Sequence, residues 1–479
     1  MAGAVAAAAL FDGERLRHDV ALAHEGGGVA AIERLGEPPR GPRRLVTPAL
    51  VNAHDHARPL STTSFGSAFL PLEAWLPRNV FVTPPDPYLA AIAPLARAAR
   101  AGCGAVMVHY TRPSGTLSPV DEARSIARAA NDIGVRIAFA PAVRDMNPLV
   151  YGDETEMLAR LPPATEALFR EAFVREPTTP QAYLDLVDEI ADAIAGPLVD
   201  VQYGPAGPQW CSRPMLEAIA DASARTGRRV HMHLLETERQ RAWADRAFPD
   251  GVVRHLEEIG LLSERLTLAH CVHARPDELD RIAASGARIV TNFSSNMYLR
   301  SGLGPIRQAH ARGCRVAVGV DGQALDEDDD LLREMRLVHG VHAGAKLDPA
   351  WTRAGFLSAV IAAGRAAVGA PGDGALTPGA PADFVTFDLD ALDRDRIAPV
   401  DPLDLLFTRG AAAHVREVVV AGRTIVADGR VTGVDLDAVE AELRTLFRAN
   451  AGRHRALEAA WGPFDAGLRD WFRGCLGCG

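Results

Sequence analysis

From about residue 48 to residue 320, short apolar runs of β character alternate with longer segments of helical period. This alternation constrains the fold more than any other feature of the chain. The pattern predicts strands over 50–53, 105–108, 135–140, 199–202, 229–234, 266–269, 287–291 and 315–319. Helices are predicted over 88–101, 119–133, 180–194, 213–226, 276–284 and 303–313, with a helical stretch before Gly260. About eight strands, each followed by a helix, are the signature of a (β/α)8 TIM barrel. The alternative is a doubly wound open sheet, but no Gly-x-Gly-x-x-Gly follows an early strand. A longer insertion, 143–179, is placed to cap a site at the top of such a barrel.

The two ends of the chain read differently. Residues 1–45 are short apolar runs broken by Asp12-Gly13 and Gly26-Gly27-Gly28, which predicts hairpins. The same style returns after Pro371, with β runs at 383–387 and 415–426 and a turn at Ala421-Gly422. Both ends are therefore expected to build one small flanking β-sandwich domain, 1–47 with 372–434, beside a barrel over 48–371. Helices at 329–341 and 349–368 complete the barrel segment. A helical tail, 435–479, carries Trp461 and Trp471, aromatics expected to pack on the domain or on a second subunit.

Active sites of barrels lie at the C-terminal ends of the strands, so the polar residues there carry the argument. His54 and His56 follow the first strand, and two imidazoles on one rigid element form half of a metal site. His231 and His233 lie two apart on a later strand, His270 ends the next, and Asp321 follows the last. Imidazole and carboxylate groups at one level of several parallel strands can surround a divalent ion. Spacing alone leaves open which of His231 and His233 is the ligand.

These residues carry a resemblance. Thr-Pro-Ala-Leu-Val-Asn-Ala-His54-Asp-His56, Val-His-Met-His233-Leu-Leu-Glu236, Leu-Ala-His270, Ser295-Asn296-Met and Val-Gly-Val-Asp321-Gly resemble the amidohydrolase superfamily, in its cytosine deaminase, guanine deaminase and chlorohydrolase branch. The resemblance implies that His54, His56, His233 and Asp321 bind one divalent metal, zinc or alternatively Fe2+. It selects His233 because the family's ligand sits three residues before the glutamate. Other members hold two metals bridged by a modified lysine on the fourth strand. Lys346 is the only lysine here, which leaves the mononuclear arrangement. The family pattern makes Glu236 the general acid and base, His270 the group that polarises the substrate or holds the adduct, and Asp321 both ligand and proton acceptor. Arg58, His109, Gln209 and Trp210 are expected to bind substrate, Trp210 by stacking and Gln209 by pairing with a ring edge.

The implied activity is hydrolysis of a carbon–nitrogen bond in a cyclic amidine or nitrogen heterocycle by water activated on the metal. The same site could instead displace halide, alkylamine or thiol, or open a cyclic amide. A silent binding relative is the remaining alternative, and it should have lost ligands. The net charge of -10 with no basic run argues against nucleic-acid and anionic-membrane partners. No apolar run reaches membrane-spanning length, and the apolar start lacks the basic flank of a signal peptide. A cytoplasmic protein acting on a small heterocycle, with a homodimer as the possible assembly, is the expectation. Of the six cysteines, Cys103, Cys211, Cys271 and Cys314 sit singly in apolar segments, and Cys475-x-x-Cys478 is read as an incidental tail.

Overall fold

Strands rich in Val, Ile, Leu and Ala, buried on both faces, form the centre of the molecule, as expected of parallel strands covered by helices. The structure, a computed structural model, describes residues 2–83, 86–322, 329–344 and 350–474. Lys346, Cys475 and Cys478 lie outside the described residues. One parallel sheet runs Leu50–Asn52, Cys103–Tyr110, Arg136–Val143 and Val199–Val201, with the short Gly204–Pro205 also pairing with Arg136–Val143. A second runs Val230–Leu234, Leu266–His270, Arg288–Thr291 and Arg315–Val318. The two meet at both edges. Ala53 N donates to the Val318 carbonyl at 3.0 Å on one side, and His231 N donates to the Tyr203 carbonyl at 2.9 Å on the other. The result is a TIM-barrel-like α/β fold.

The helices between these strands carry their own signals. Pro119–Ile133 and Arg213–Thr226 begin on Ser118 and Ser212, whose side chains accept from the third helical N–H, and both end on a left-handed glycine. Each has Pro at its first or second position, where the missing N–H costs nothing. Both match the predicted bounds. The helix predicted over 303–313 is shorter, Ile306–Ala311, and a preceding helix, Phe293–Tyr298, was not predicted.

Both chain ends contribute to one eight-stranded sheet. Its order is Arg430–Val431, Arg423–Ala427, Val415–Val420, Phe384–Asp388, Arg44–Pro48, Gly3–Phe11, Leu16–Glu25 and Gly28–Arg34. All eight strands share one hydrogen-bonded sheet rather than two, and it encloses a core that includes Leu10, Leu22, Val46 and Phe384. Ala421 and Gly422 both have positive φ, 47° and 75°, the conformation a two-residue type I′ hairpin turn requires.

The insertion contains helices Glu154–Leu158 and Pro163–Phe173. They pack against the last helix, Trp461–Gly474, in a separate apolar cluster with Phe169, Trp461, Phe464 and Trp471 at its centre. The Phe169 and Phe464 rings stack at 3.8 Å. The tail aromatics thus pack on the insertion of their own chain.

Candidate metal centre and active site

The first strand stops at Asn52, so His54 and His56 are set by the loop after it rather than by strand alternation. Both rings nevertheless reach one carboxylate. His54 Nε2 lies 3.3 Å and His56 Nε2 3.1 Å from Asp321 Oδ1. Asp321 N donates to the His54 carbonyl at 2.9 Å, which ties the loop after the first strand to the loop after the last. Ser295 Oγ donates to Asp321 Oδ2. Asp321 Oδ1 and His54 Nε2 are left buried without a hydrogen-bond partner.

His233 Nε2 faces His56 Nε2 at 3.3 Å, and its Nδ1 lies 2.7 Å from the Ala206 carbonyl. His231, also inward, behaves differently. Its Nε2 lies 2.7 Å from His54 Nδ1, holding that ring from behind. Three overlapping groups bring donor atoms within 4.8 Å of one another: His54, His56 and Asp321; His54, His233 and His270; and His56, His109 and His233. His231 belongs to none of them. Strand spacing could not distinguish it from His233, because both side chains turn into the barrel.

The electrostatics suit a cation. Burial lowers His54 and His109 to about 3 and His56 to about 4, so the rings are neutral ligands near pH 7. Burial raises the Asp321 carboxyl, but the imidazoles of His54 and His56 outweigh it and hold the group well below its usual range. An ionised carboxylate among neutral imidazoles, with two orphaned buried atoms facing each other, fits a divalent ion.

Glu236 stands beside this cluster. Burial raises it to about 7, with His270 opposing and Asp321 and Glu73 adding to the rise. Ser301 Oγ donates to Glu236 Oε1 at 3.3 Å, and Oε2 lies 3.9 Å from His270 Nε2. His270 is fixed on its other side, Nδ1 lying 2.8 Å from Asn296 Oδ1. Several residues at these strand ends hold left-handed backbone unusual for side-chain-bearing residues: Leu235, His270, Cys271 and Asp321, with φ between 49° and 74°.

Above the cluster opens a cavity of about 1010 Å³, whose wall includes His56, His233, Glu236, His270 and Asp321. Arg58 and Trp210 line it. Arg58 Nη1 donates to the Asp321 and Gly322 carbonyls. The Trp210 ring stands perpendicular to the His233 ring, their centroids 6.2 Å apart. Two residues expected on this wall are elsewhere. His109 is buried under the cluster with Nε2 at 3.2 Å from the Gly204 carbonyl, because it lies inside its strand rather than beyond it. The Gln209 amide folds back over Gly207, where an added Cβ would meet its Nε2 at 3.0 Å.

The sequence reading missed Glu73, Arg112 and Arg144, all on the cavity wall. Glu73 is buried and accepts from Thr237 Oγ1 and, at 3.4 Å, from the Tyr151 hydroxyl. Its signal was available: a carboxylate inside the apolar run Leu70-Pro-Leu-Glu73-Ala-Trp75 needs a buried partner.

The sequence model of the amidohydrolase family matches residues 45–425. The chain is 29% identical over 411 residues to a 5-methylthioadenosine/S-adenosylhomocysteine deaminase of Nitratidesulfovibrio vulgaris, covering 84% of each protein. It is 28% identical over 474 residues to an 8-oxoguanine deaminase of Pseudomonas aeruginosa, covering 94% of this chain and 97% of that one. Among solved structures, a triazine hydrolase variant superposes with a TM-score of 0.78 at 21% identity, over 93% of this chain and 99% of that one. An adenosine deaminase from Xanthomonas campestris with bound zinc superposes with a TM-score of 0.74 at 23% identity, over 94% and 98%. These structural likenesses concern the fold.

Proposed function

The chain belongs to the amidohydrolase family, and from that premise we propose that it is a metal-dependent aminohydrolase that removes an amino group from a nitrogen heterocycle. One observation carries the reading: neutral imidazoles and an ionised carboxylate with orphaned atoms lie beside a buried glutamate poised near neutral pH, on the wall of one cavity.

His54, His56, His233 and Asp321 would hold one ion, zinc or alternatively Fe2+. When bound, such an ion lowers the pKa of water from 15.7 to about 7. Glu236 is the proton carrier. A carboxyl group titrating at about 7 passes one proton of the attacking water to a ring nitrogen, and the second proton, left on the adduct hydroxyl, goes by way of Asp321 and Glu236 to the departing amine. His270, fixed through Nδ1 by Asn296, presents Nε2 to the atom that gains charge in the adduct. Asp321 keeps Oδ1 toward the site because Ser295 occupies Oδ2. Arg58 and Trp210 hold substrate. His109 and Gln209, off the cavity wall, act on it only through their neighbours.

The parallel strands read as one closed eight-stranded barrel over 48–371, supported by the hydrogen bonds at both sheet edges. Residues 1–47 and 372–434 read as the flanking β-domain, supported by their shared sheet, and 435–479 as a helical tail. We place the enzyme in the cytoplasm, as a monomer or homodimer without nucleic-acid or membrane partners. The acidic net charge supports this, and among the described residues no helix is long and apolar enough to cross a membrane.

The test is ammonia release from purines, pterins, pyrimidines and triazines by metal-loaded protein. Release from one class is expected. Silence across all four overturns the assignment, and product mass separates loss of ammonia from loss of another group.

A further inference from the structure

The cavity is far larger than one heterocyclic ring fills, so its wall has a further part of the substrate to recognise. Four arginines line it: Arg58, Arg112, Arg144 and Arg175. Arg175 is exposed and turns its Nη1 to the Glu171 and Val174 carbonyls, which leaves the other three to face the substrate. The Arg58 guanidinium lies 4.9 Å over the Trp75 ring and that of Arg144 lies 4.5 Å over the Trp210 ring. A guanidinium stacked on an aromatic face can present its N–H edge to a planar acceptor; Arg58 already spends Nη1 on the Asp321 and Gly322 carbonyls, with Asp321 Oδ1 3.8 Å away.

Several buried arginines elsewhere are paired with carboxylates, whereas among the described residues Arg288 meets only the Glu264 carbonyl. Of the paired ones, Arg97 meets Asp329, Arg241 meets Glu278 and Arg365 meets Asp383. Arg112 and Arg144 are not so paired. Arg112, half-buried, donates only a long bond to the Leu76 carbonyl at 3.4 Å. Arg144, exposed at the mouth, donates only to the Pro148 carbonyl at 3.5 Å. Among the described residues neither forms an ion pair with a carboxylate. Burial together with the charges of Arg58 and Arg144 presses Arg112 down to about 9, which still leaves it cationic at neutral pH. Holding a partly desolvated, unpaired charge beside two like charges is costly unless a ligand compensates it.

We propose that Arg112 and Arg144, with Arg58 beside them, receive a carboxylate borne by the heterocyclic substrate, so that the substrate class is a carboxylated nitrogen heterocycle rather than a bare base. The proposal rests on the hydrolytic reading of the same cavity. Asp145, Glu154 and Glu176 also line the cavity. With Glu73, Glu236 and Asp321 on the same wall, the acids outnumber the arginines, which favours a ligand of a single negative charge held locally by the arginines over a phosphate dianion. Trp210 links the two parts of the site, one face under Arg144 and its plane at right angles to the His233 ring 6.2 Å away.

The experiment is calorimetric binding to metal-loaded, full-length protein carrying Glu236→Gln, which stalls turnover. The probes are matched aminopurines, aminopterins, aminopyrimidines and aminotriazines whose side chain ends in a carboxylate, its uncharged methylamide, or a phosphonate. In at least one ring class the carboxylate is expected to bind about tenfold or more tighter than the amide. That preference should shrink with added salt and collapse toward unity in Arg112→Met and Arg144→Met. No carboxylate preference in any class overturns the proposal, as does a phosphonate that binds tighter than the carboxylate, or a preference undiminished when both arginines are replaced. The comparison within the parental protein does not depend on how those variants fold. Deamination with equal affinity for carboxylate and amide removes this subsite and leaves the reaction. A carboxylate preference without ammonia release from any class removes the reaction and leaves the subsite.

Discussion

Glu236 and His231 show what single side chains contribute to this site. Replacing Glu236 with Gln keeps the shape but removes the proposed proton carrier, and kcat should fall about 10²- to 10⁴-fold while metal content by elemental analysis stays at the parental level. The same variant tests the origin of its shifted titration. Glu236 rises from 4.5 to about 7 on burial, so between those values the folded state binds a proton that the unfolded chain has released. Its contribution to stability therefore declines as pH rises through that window. Thermal melts across pH 4 to 8 should show the parent losing stability relative to Glu236→Gln over that interval. A constant difference would mean the group titrates normally. His231 acts through another residue: its Nε2 at 2.7 Å fixes the His54 ring. His231→Leu should weaken metal affinity about 10- to 100-fold, measured by competition with a chelator. An unchanged affinity would make His231 mere packing. This distinction was invisible in the sequence, where two inward histidines two residues apart are equivalent. Only the position of the His54 ring separates them.

At the scale of elements, the site depends on two loops meeting. An added Cβ at Gly319 would lie 2.7 Å from both His54 N and His54 O and 2.5 Å from Asn292 Oδ1. Gly319→Ala must therefore push the loop bearing His54 away from the last strand. It should cost about 1–3 kcal/mol in denaturant titrations and lower bound metal, and a variant with parental metal content would show that the two loops move independently. The insertion and the last helix form a second unit. Phe464→Ala removes the ring stacked on Phe169 and should cost about 3–5 kcal/mol, seen first as faster proteolysis of the segment around 145–178. Parental resistance to proteolysis would separate the tail from the insertion. The helices with serine caps, early prolines and terminal glycines were legible from sequence to the residue, because those signals are local. The insertion's helices were not, since their apolar faces make sense only against tail residues some three hundred positions away. Gln209 was misplaced for a similar reason. A turn that folds an amide back over a glycine leaves no periodic trace.

For the whole molecule, the alternation of strands and helices was legible because a parallel strand buried on both faces is uniformly apolar, and the polar residues at strand ends then stand out. His54, His56, His231, His233, His270 and Asp321 were picked out that way, while the preference for His233 over His231 and the role of Glu236 came from the family pattern. Glu73, Arg112 and Arg144 were not, because they sit on loops and short helices whose approach to the cavity depends on how the barrel and its insertion pack. The shared sheet of both chain ends was suggested by style of sequence, but its strand order required the structure. The proposed reaction depends on a single divalent ion held by the fifth parallel strand and by the loops after the first and eighth. The most direct measurement is an anomalous difference map from metal-loaded crystals collected at the absorption edge of the bound metal. One peak bonded to His54, His56, His233 and Asp321 is the expected result; two peaks, or one bonded to His109 or His231 in place of His233, would contradict it.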